Sequence, residues 1–153
     1  MRQGIRIAVD VGEVRVGIAR SDSDGILATP VGTYRRGIDD FSAVLQLIRA
    51  YDVLEVIVGL PRNMDGSEGK SATNARRWAR RIAKKIAPIS VRMVDERLST
   101  VSAHQLLHDV GRKEKTHRSV IDQVAAGIIL ESALAHERST GSPAGELIAI
   151  QEN

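Results

Sequence analysis

Three carboxylates at the ends of apolar stretches are the groups in this chain best placed to do chemistry. Asp10 closes IRIAVD, and Glu96 follows VRMVD, where a strand-like run through Val91, Met93 and Val94 breaks into two adjacent acids. Asp122 lies in SVIDQVAAGIIL and shares a helical face with Ala125, Ala126 and Ile129, at spacings of three, four and seven. Small alanines there allow a close approach to a neighbouring layer. Each acid has an ordinary structural alternative: Asp10 as a turn residue, Glu96 as a partner of Arg97, and Asp122 as the last member of an S-x-x-D capping box begun by Ser119. Gathered in one place, however, they repel one another unless a cation neutralises them. Oxygen donors in a chain with no cysteine favour magnesium or manganese over zinc. Two such ions about 3.5–4 Å apart can hold a phosphodiester, one lowering the pKa of the attacking water and the other taking charge from the leaving oxygen.

The elements that must position these acids follow from the apolar pattern. Residues 5–10 and 15–21 read as two strands joined by a turn eased by Gly12, and 26–36 as a third, placed at an edge by Pro30. Asp39 can cap a helix running to about Tyr51, after which VLEVIVGL is apolar almost throughout, the mark of a strand buried on both faces. A helix over SATNARRWARRIAKKIA, the strand VRMV, a helix capped by Ser99 or Thr100 and a last helix from about Ser119 to Ala135, apolar almost all round and so expected to be largely buried, complete the order. The sheet is therefore expected to be mixed and five-stranded, an antiparallel meander followed by parallel crossovers flanked by helices. Parallel strands place Asp10, the loop LPRNMDGSEGKS and Glu96 at one carboxyl edge, where open α/β sheets bind ligands. The Pro, Asn, Asp and Gly content of that loop suits a flexible flap. From residue 137 onward the sequence is polar with Gly and Pro, and a loose tail is expected.

Composition narrows the partners. At 153 residues with 42% apolar and 27% charged content, the chain fits one globular domain with one core. No apolar run approaches the roughly 18 residues of a membrane span, so the cytosol is the expected location. The net charge of +3 says little, but its distribution says more. Arg76, Arg77, Arg80, Arg81, Lys84 and Lys85 fall within about 180° of a helix whose other side carries Ala75, Trp78, Ala79, Ile82 and Ile86. This is either a solvated surface or a face that grips nucleic-acid phosphates, a sequence-independent and salt-sensitive contact. Aromatic content of 3% excludes the interleaved aromatics of single-strand binders, and Trp78 reads as core. His104 and His108, four apart, read as surface residues.

DVGEVRVGIARSD, VIVGLPRNMDGSEGKSA, VDERLST and IDQVAAGIIL, in that order between Ile5 and Leu134, resemble the successive motifs of the YqgF/RuvX family. Its members are ribonuclease H-like proteins described as Holliday junction resolvases or as nucleases maturing the small-subunit ribosomal RNA precursor. The resemblance implies a ribonuclease H-like nuclease domain over residues 1–136, with a flexible tail at 137–153. It implies Mg2+ or Mn2+ catalysis and carries the catalytic, metal-binding acids onto Asp10, Glu96 and Asp122. Asp95, with the opposite strand parity, then orients Arg97 or a backbone amide; Arg15 is an ordinary edge charge in preference to a phosphate contact, and Gly12 and Gly17 serve the turn and close strand approach. Arg76, Arg77, Arg80, Arg81 and Lys84 become the substrate-binding set. Precursor rRNA and branched DNA are the expected substrates, with a monomer or, for concerted junction cleavage, a homodimer. Two rivals stand beside this expectation: an actin-like phosphotransferase, which needs two such domains, and a non-catalytic nucleic-acid-binding or ribosome-associated module.

Overall fold

The opening hairpin is built as the apolar alternation dictates. β1 (Ile5–Val11) and β2 (Arg15–Ser21) pair antiparallel, with Asp10 opposite Gly17 and Val11 opposite Val16. Their turn is closed by Gly12, whose N–H donates to the Arg15 carbonyl at 2.8 Å and where a Cβ would meet that same oxygen. β3 (Ala28–Arg35) pairs antiparallel with β2, and the register shift between Ile18 and Ala19 leaves Pro30 on the outer strand, where no ladder hydrogen bond is demanded of it. A computed structural model describes residues 1–98 and 118–150 of the chain.

The second half supplies the crossovers. α1 (Asp40–Ala50) leads into β4 (Val53–Leu60), α2 (Lys70–Ile86) into β5 (Ser90–Asp95), and a single 3-10 turn (Glu96–Leu98) ends that strand. β4 lies parallel to both β1 and β5. α3 (Arg118–Thr140) follows, and then a short β6 (Glu146–Leu147) that pairs antiparallel with β5. The sheet order is β3-β2-β1-β4-β5-β6, so the five expected strands are joined by a sixth. The helix expected after Ser99 or Thr100 lies outside the described residues.

Strand parity divides the core in two. Ile7, Val9, Val16, Ile18, Val56, Val58, Val91 and Met93 face α1 and α2, packing against Val44, Trp78, Ala79 and Ile82. The alternate residues Ala8, Ala19, Ile57 and Val94 face α3, meeting Ala126, Ile129, Leu130, Ala133 and Leu134. The two layers therefore lie on opposite faces of the sheet.

Three local expectations are corrected. Asp39 does precede α1, but its side chain does not cap the helix; Oδ1 instead accepts the Arg35 N–H at 2.6 Å and fastens the β3–α1 turn. α3 is not buried all round, because it rests on one face only and leaves Glu131, Ala135 and His136 in solvent. The boundary expected at residue 136 falls inside α3, which runs on to Thr140, where Glu137 is held by the buried Arg6 and the partly exposed Arg2. Arg6, 1% exposed, donates to Glu137 Oε2 at 2.5 Å, and Arg2 Nε donates to Oε1 at 2.6 Å. Arg2 also bridges to Glu55 at 2.9 Å on β4, so α3, β1 and β4 are tied at the end of the sheet away from the acids. Beyond the helix, Ala144 and Ile148 are buried, and Ile148 N–H donates to Val91 O at 2.9 Å. Residues 144–148 are thus docked on the β5 edge, because Ala144 and Ile148 find a place there.

Glu137→Ala leaves the Arg6 guanidinium buried without its carboxylate. It is expected to lower unfolding free energy by about 3 kcal/mol, and more if Gly4 and Arg2 carbonyls fail to compensate, as read from urea denaturation.

Candidate active site

Asp10 stands at the carboxyl end of β1 with the same parity as Ala8, so it points to the α3 side of the sheet. Its neighbour across the hairpin is Gly17, and the backbone of α3 passes directly over that glycine. A Cβ on Gly17 would collide with the carbonyl group of Asp122, so only glycine admits the helix this close. Asp122 is thereby set beside Asp10 although the two are far apart in sequence. Glu96 arrives from the other neighbouring strand. The 3-10 turn after β5 carries its carboxylate over Gly59 of β4, where a Cβ would stand 2.6 Å from Glu96 Oε1 and equally close to Ile129 Cδ1. Two glycines, one on each side of β1, thus leave room for the two acids.

The electrostatics follow from this crowding. Burial foremost, and then the charges of Glu96 and Asp122 and a side-chain hydrogen bond with Glu96, push the Asp10 carboxyl up from 3.8 to about 7. A hydrogen bond between two carboxyls needs a proton on one of them, so Asp10 keeps its proton until the pH approaches about 7. Asp122 is attached elsewhere: its Oδ2 accepts from Arg15 Nε at 3.3 Å, with both side chains partly exposed. Arg15, expected to be an ordinary edge charge, is therefore a partner of one of the three acids. Among the described residues no three Asp, Glu, His or Cys side chains surround a common point as a metal-holding set. The side chains nevertheless suit a hard divalent cation: all are carboxylates, and the charges of Glu96 and Asp122, which add to burial in raising Asp10, are ones a cation relieves.

Asp95 has the opposite parity and performs both of the tasks expected of it. It accepts from Arg97 N at 2.9 Å and from the Arg97 guanidinium at 2.7 Å, and these bonds hold its carboxyl below the usual range despite partial burial. Arg97 in turn reaches the Met64 carbonyl in the loop after β4 at 3.5 Å. That loop is braced internally, with Asn63 N–H donating to Ser67 O and Gly66 N–H to Asn63 O, both at 2.9 Å. Arg62 links the loop to the strand end, lying 3.7 Å from Asp95 and 3.3 Å from Glu68. Sequence reading passed over Arg62; its position straight after a strand's carboxyl end was the available signal.

The basic helix lies on the sheet face opposite the acids, since its apolar side packs on the α1–α2 layer. Its cations are not equivalent. Arg77, Arg80, Arg81, Lys84 and Lys85 are exposed, whereas Arg76 is held by Glu68 at 2.6 Å and Glu146 at 2.7 Å. Arg76 is thus engaged in fastening the loop and the β6 segment. Trp78 is core, as expected, and its Nε1 donates to the buried Asp40 at 2.9 Å. His136 is exposed; the other three histidines lie outside the described residues.

A mixed sheet with carboxylates at the edge shared by β1, β4 and β5, and a helix packed over them, defines a ribonuclease H-like α/β protein. The same fold is present in RuvC from T. thermophilus, solved in complex with a Holliday junction substrate, at a TM-score of 0.55 over 91% of this chain and 98% of that one, with 11% identity. Residues 4–136 match the family RuvX, described as Holliday junction resolvase, and the chain belongs to that family. It is 48% identical to a protein of Nocardioides sp., covering 97% of this chain and 98% of that one. It is 52% identical to one of Streptomyces coelicolor, covering 98% and 91% respectively. Both relatives bear the provisional name pre-16S rRNA nuclease. No helix among the described residues is long and apolar enough to cross a membrane.

Because the folded protein binds the Asp10 proton more tightly than the unfolded chain, metal-free stability is present at low pH and is lost as pH rises from about 4 through about 7. Asp10→Asn is therefore expected to be more stable than the parent at pH 8 in the presence of a chelator, by at most about 4 kcal/mol (3.2 pH units at 1.36 each), and no more stable near pH 4. Denaturant titrations at the two pH values read the difference.

Proposed function

We propose that this chain is a divalent-metal-dependent nuclease that hydrolyses phosphodiester bonds in structured nucleic acid, with Asp10, Glu96 and Asp122 as the ion-holding carboxylates. The observation that carries the proposal is the approach of Glu96 and Asp122 to Asp10, close enough that their charges add to burial in raising its carboxyl to about 7. A set of acids that repel one another in the metal-free protein is poised to exchange the Asp10 proton and the Arg15 partner of Asp122 for cations. Mg2+ or Mn2+ bound there would supply a polarised phosphate and an acidified water at neutral pH.

The protein's own groups have separable tasks. Asp10 is fixed by the β1 ladder and gives the site a rigid centre. Glu96 is aimed by the 3-10 turn, whose geometry depends on Asp95 accepting the Arg97 N–H. Asp122 is set by the contact of α3 with Gly17, and Arg15 holds its carboxylate in place. Arg77, Arg80, Arg81 and Lys84 are exposed cations suited to the flanking phosphates, whereas Arg76 serves its two glutamates.

The small-subunit rRNA precursor is the favoured substrate, because relatives near 50% identity over almost their whole length are named for it. A four-way DNA junction is the second reading, favoured by the description of the family. Concerted junction cleavage needs two active sites, hence a homodimer, whereas rRNA trimming is compatible with a monomer. Action on nucleic acid inside the cell places the protein in the cytoplasm.

Cleavage of a precursor rRNA leader and of a four-way DNA junction, each with Mg2+ and with Mn2+, tests the proposal. Wild type is expected to cut at least the RNA, and Asp10→Asn and Glu96→Gln to reduce cutting by more than about 100-fold with their melting cooperativity retained. Intact substrates under every condition would leave the non-catalytic binding module as the function. In the same samples Mn2+ is expected to raise the melting temperature of wild type and to leave that of Asp10→Asn unchanged.

A further inference from the structure

Two hollows flank the basic helix, and they differ in character. One, of about 480 Å³, takes in Arg80 and Lys84 but also Arg76, which Glu68 and Glu146 neutralise, and the largely apolar segment 147–150. The other, of about 250 Å³, is lined by Glu13 of the β1–β2 turn, by Arg36 of the β3–α1 turn, by Phe41 at the start of α1, and by Arg77, Trp78 and Arg81 of α2. Three cations face one exposed carboxylate there. Asp40 also borders this groove, but it is 2% exposed and its oxygens are taken by Trp78 Nε1 and the Phe41 N–H, each at 2.9 Å.

Two of the cations of the second groove, Arg36 and Arg81, are held in advance. Arg36 Nη1 donates to Gly12 O at 3.1 Å and its backbone N–H to Val14 O at 2.9 Å, so the side chain is fastened to the turn that leaves β1 two residues after Asp10. Arg81 lies 5.5 Å over the Phe41 ring, and that ring leans on Trp78 at 5.3 Å. Such stacking holds the stem of the arginine while its polar edge stays hydrated. A volume of about 250 Å³ is below the roughly 300–1,000 Å³ of pockets that enclose a small molecule, so a segment passing across the groove fits it better than an enclosed cofactor.

We propose that this groove is a phosphodiester-binding subsite for the nucleic-acid strand that leaves the carboxylate site. Its mouth and Asp10 lie on opposite faces of the sheet, and the β1–β2 turn that lines the groove begins two residues after Asp10, so the strand bends over Gly12 and Glu13 to reach Arg36, Arg77 and Arg81. Arg36 is thereby a substrate-binding residue outside the helix. Glu13 weakens the backbone contact and tunes it. The subsite rests on the nuclease reading for its occupant, although its affinity for nucleic acid is measured independently of cleavage.

The test uses the full chain carrying Asp10→Asn, which is expected to bind without cutting, and a precursor rRNA leader as probe, with dissociation constants measured across a salt series. Arg36→Gln and Arg81→Gln are each expected to weaken binding about 3- to 10-fold and to lower the log–log salt slope by about 0.7–0.9, one phosphate's worth. Glu13→Gln is expected to tighten it, and Arg36→Lys to restore most of the Arg36→Gln loss. Arg49→Gln, which removes an exposed charge at the far end of α1, is expected to change neither quantity. Wild-type affinity and slope in both arginine variants, with folding checked by thermal melting, would overturn the subsite. So would an equal loss in Arg49→Gln, which would reduce the effect to net charge. Groove-dependent binding by a protein that cuts nothing removes the nuclease reading and leaves the subsite, whereas cleavage with groove-independent binding does the reverse.

Discussion

The contact on which the candidate site depends is the one between α3 and the bare backbone of Gly17. A helix normally stands off a sheet by the depth of the intervening side chains. At Gly17 there is none, and the Asp122 carbonyl occupies the space a Cβ would fill. The helix is pressed against β2 at that point and anchored at its other end by Glu137 on Arg6 and Arg2. Between the two fixed points Ala126, Ile129, Leu130, Ala133 and Leu134 fill the layer. The position of Asp122 beside Asp10 is therefore set by a close approach and a buried ion pair rather than by any attraction between the acids, which repel.

That repulsion explains why the strands end as they do. A carboxylate inside the ladder of β5 would be buried without a partner, at a cost of several kcal/mol. Set just past the strand in a 3-10 turn, Glu96 stays partly hydrated and still reaches over Gly59. Its neighbour Asp95 emerges on the opposite face, where Arg97 and Arg62 receive it. From there a line of alternating charges runs through Glu68 and Arg76 to Glu146, joining the strand end, the loop after β4, the basic helix and the β6 segment. Most of these pairs are partly exposed, so each contributes little to stability. Their combined effect is orientation: they brace the loop that borders the carboxylates.

The sheet separates charge by face. Acids gather under α3, and exposed cations stand on α2 across the sheet, so the field between them falls around the sheet's carboxyl edge. In a family described as Holliday junction resolvases, such a distribution suits a polyanion that touches both faces by crossing that edge. A flat basic platform beside the acids would instead bind phosphates in the plane of the site, and it would also neutralise the carboxylates there.

Much of the fold was legible along the chain, because period-2 and period-3.6 patterns report which face each residue turns inward. The meander, both crossovers, the packing side of α2 and the parity that separates Asp95 from Glu96 all follow from that periodicity. So does the carboxyl-edge location of Asp10 and Glu96, since parallel strands must end together. What the sequence left undecided depends on partners far apart in the chain. Glu137 extends α3 because Arg6 and Arg2 are waiting at the base of β1; Arg76 is withdrawn from the exposed set by two glutamates, one of them 70 residues away; and Ile148 docks only because β5 offers an open edge. Arg15 and Arg36 look alike in sequence, yet one meets Asp122 and the other a turn carbonyl. Local pattern fixes which side of an element is apolar, whereas the pairing of charges depends on where whole elements come to rest.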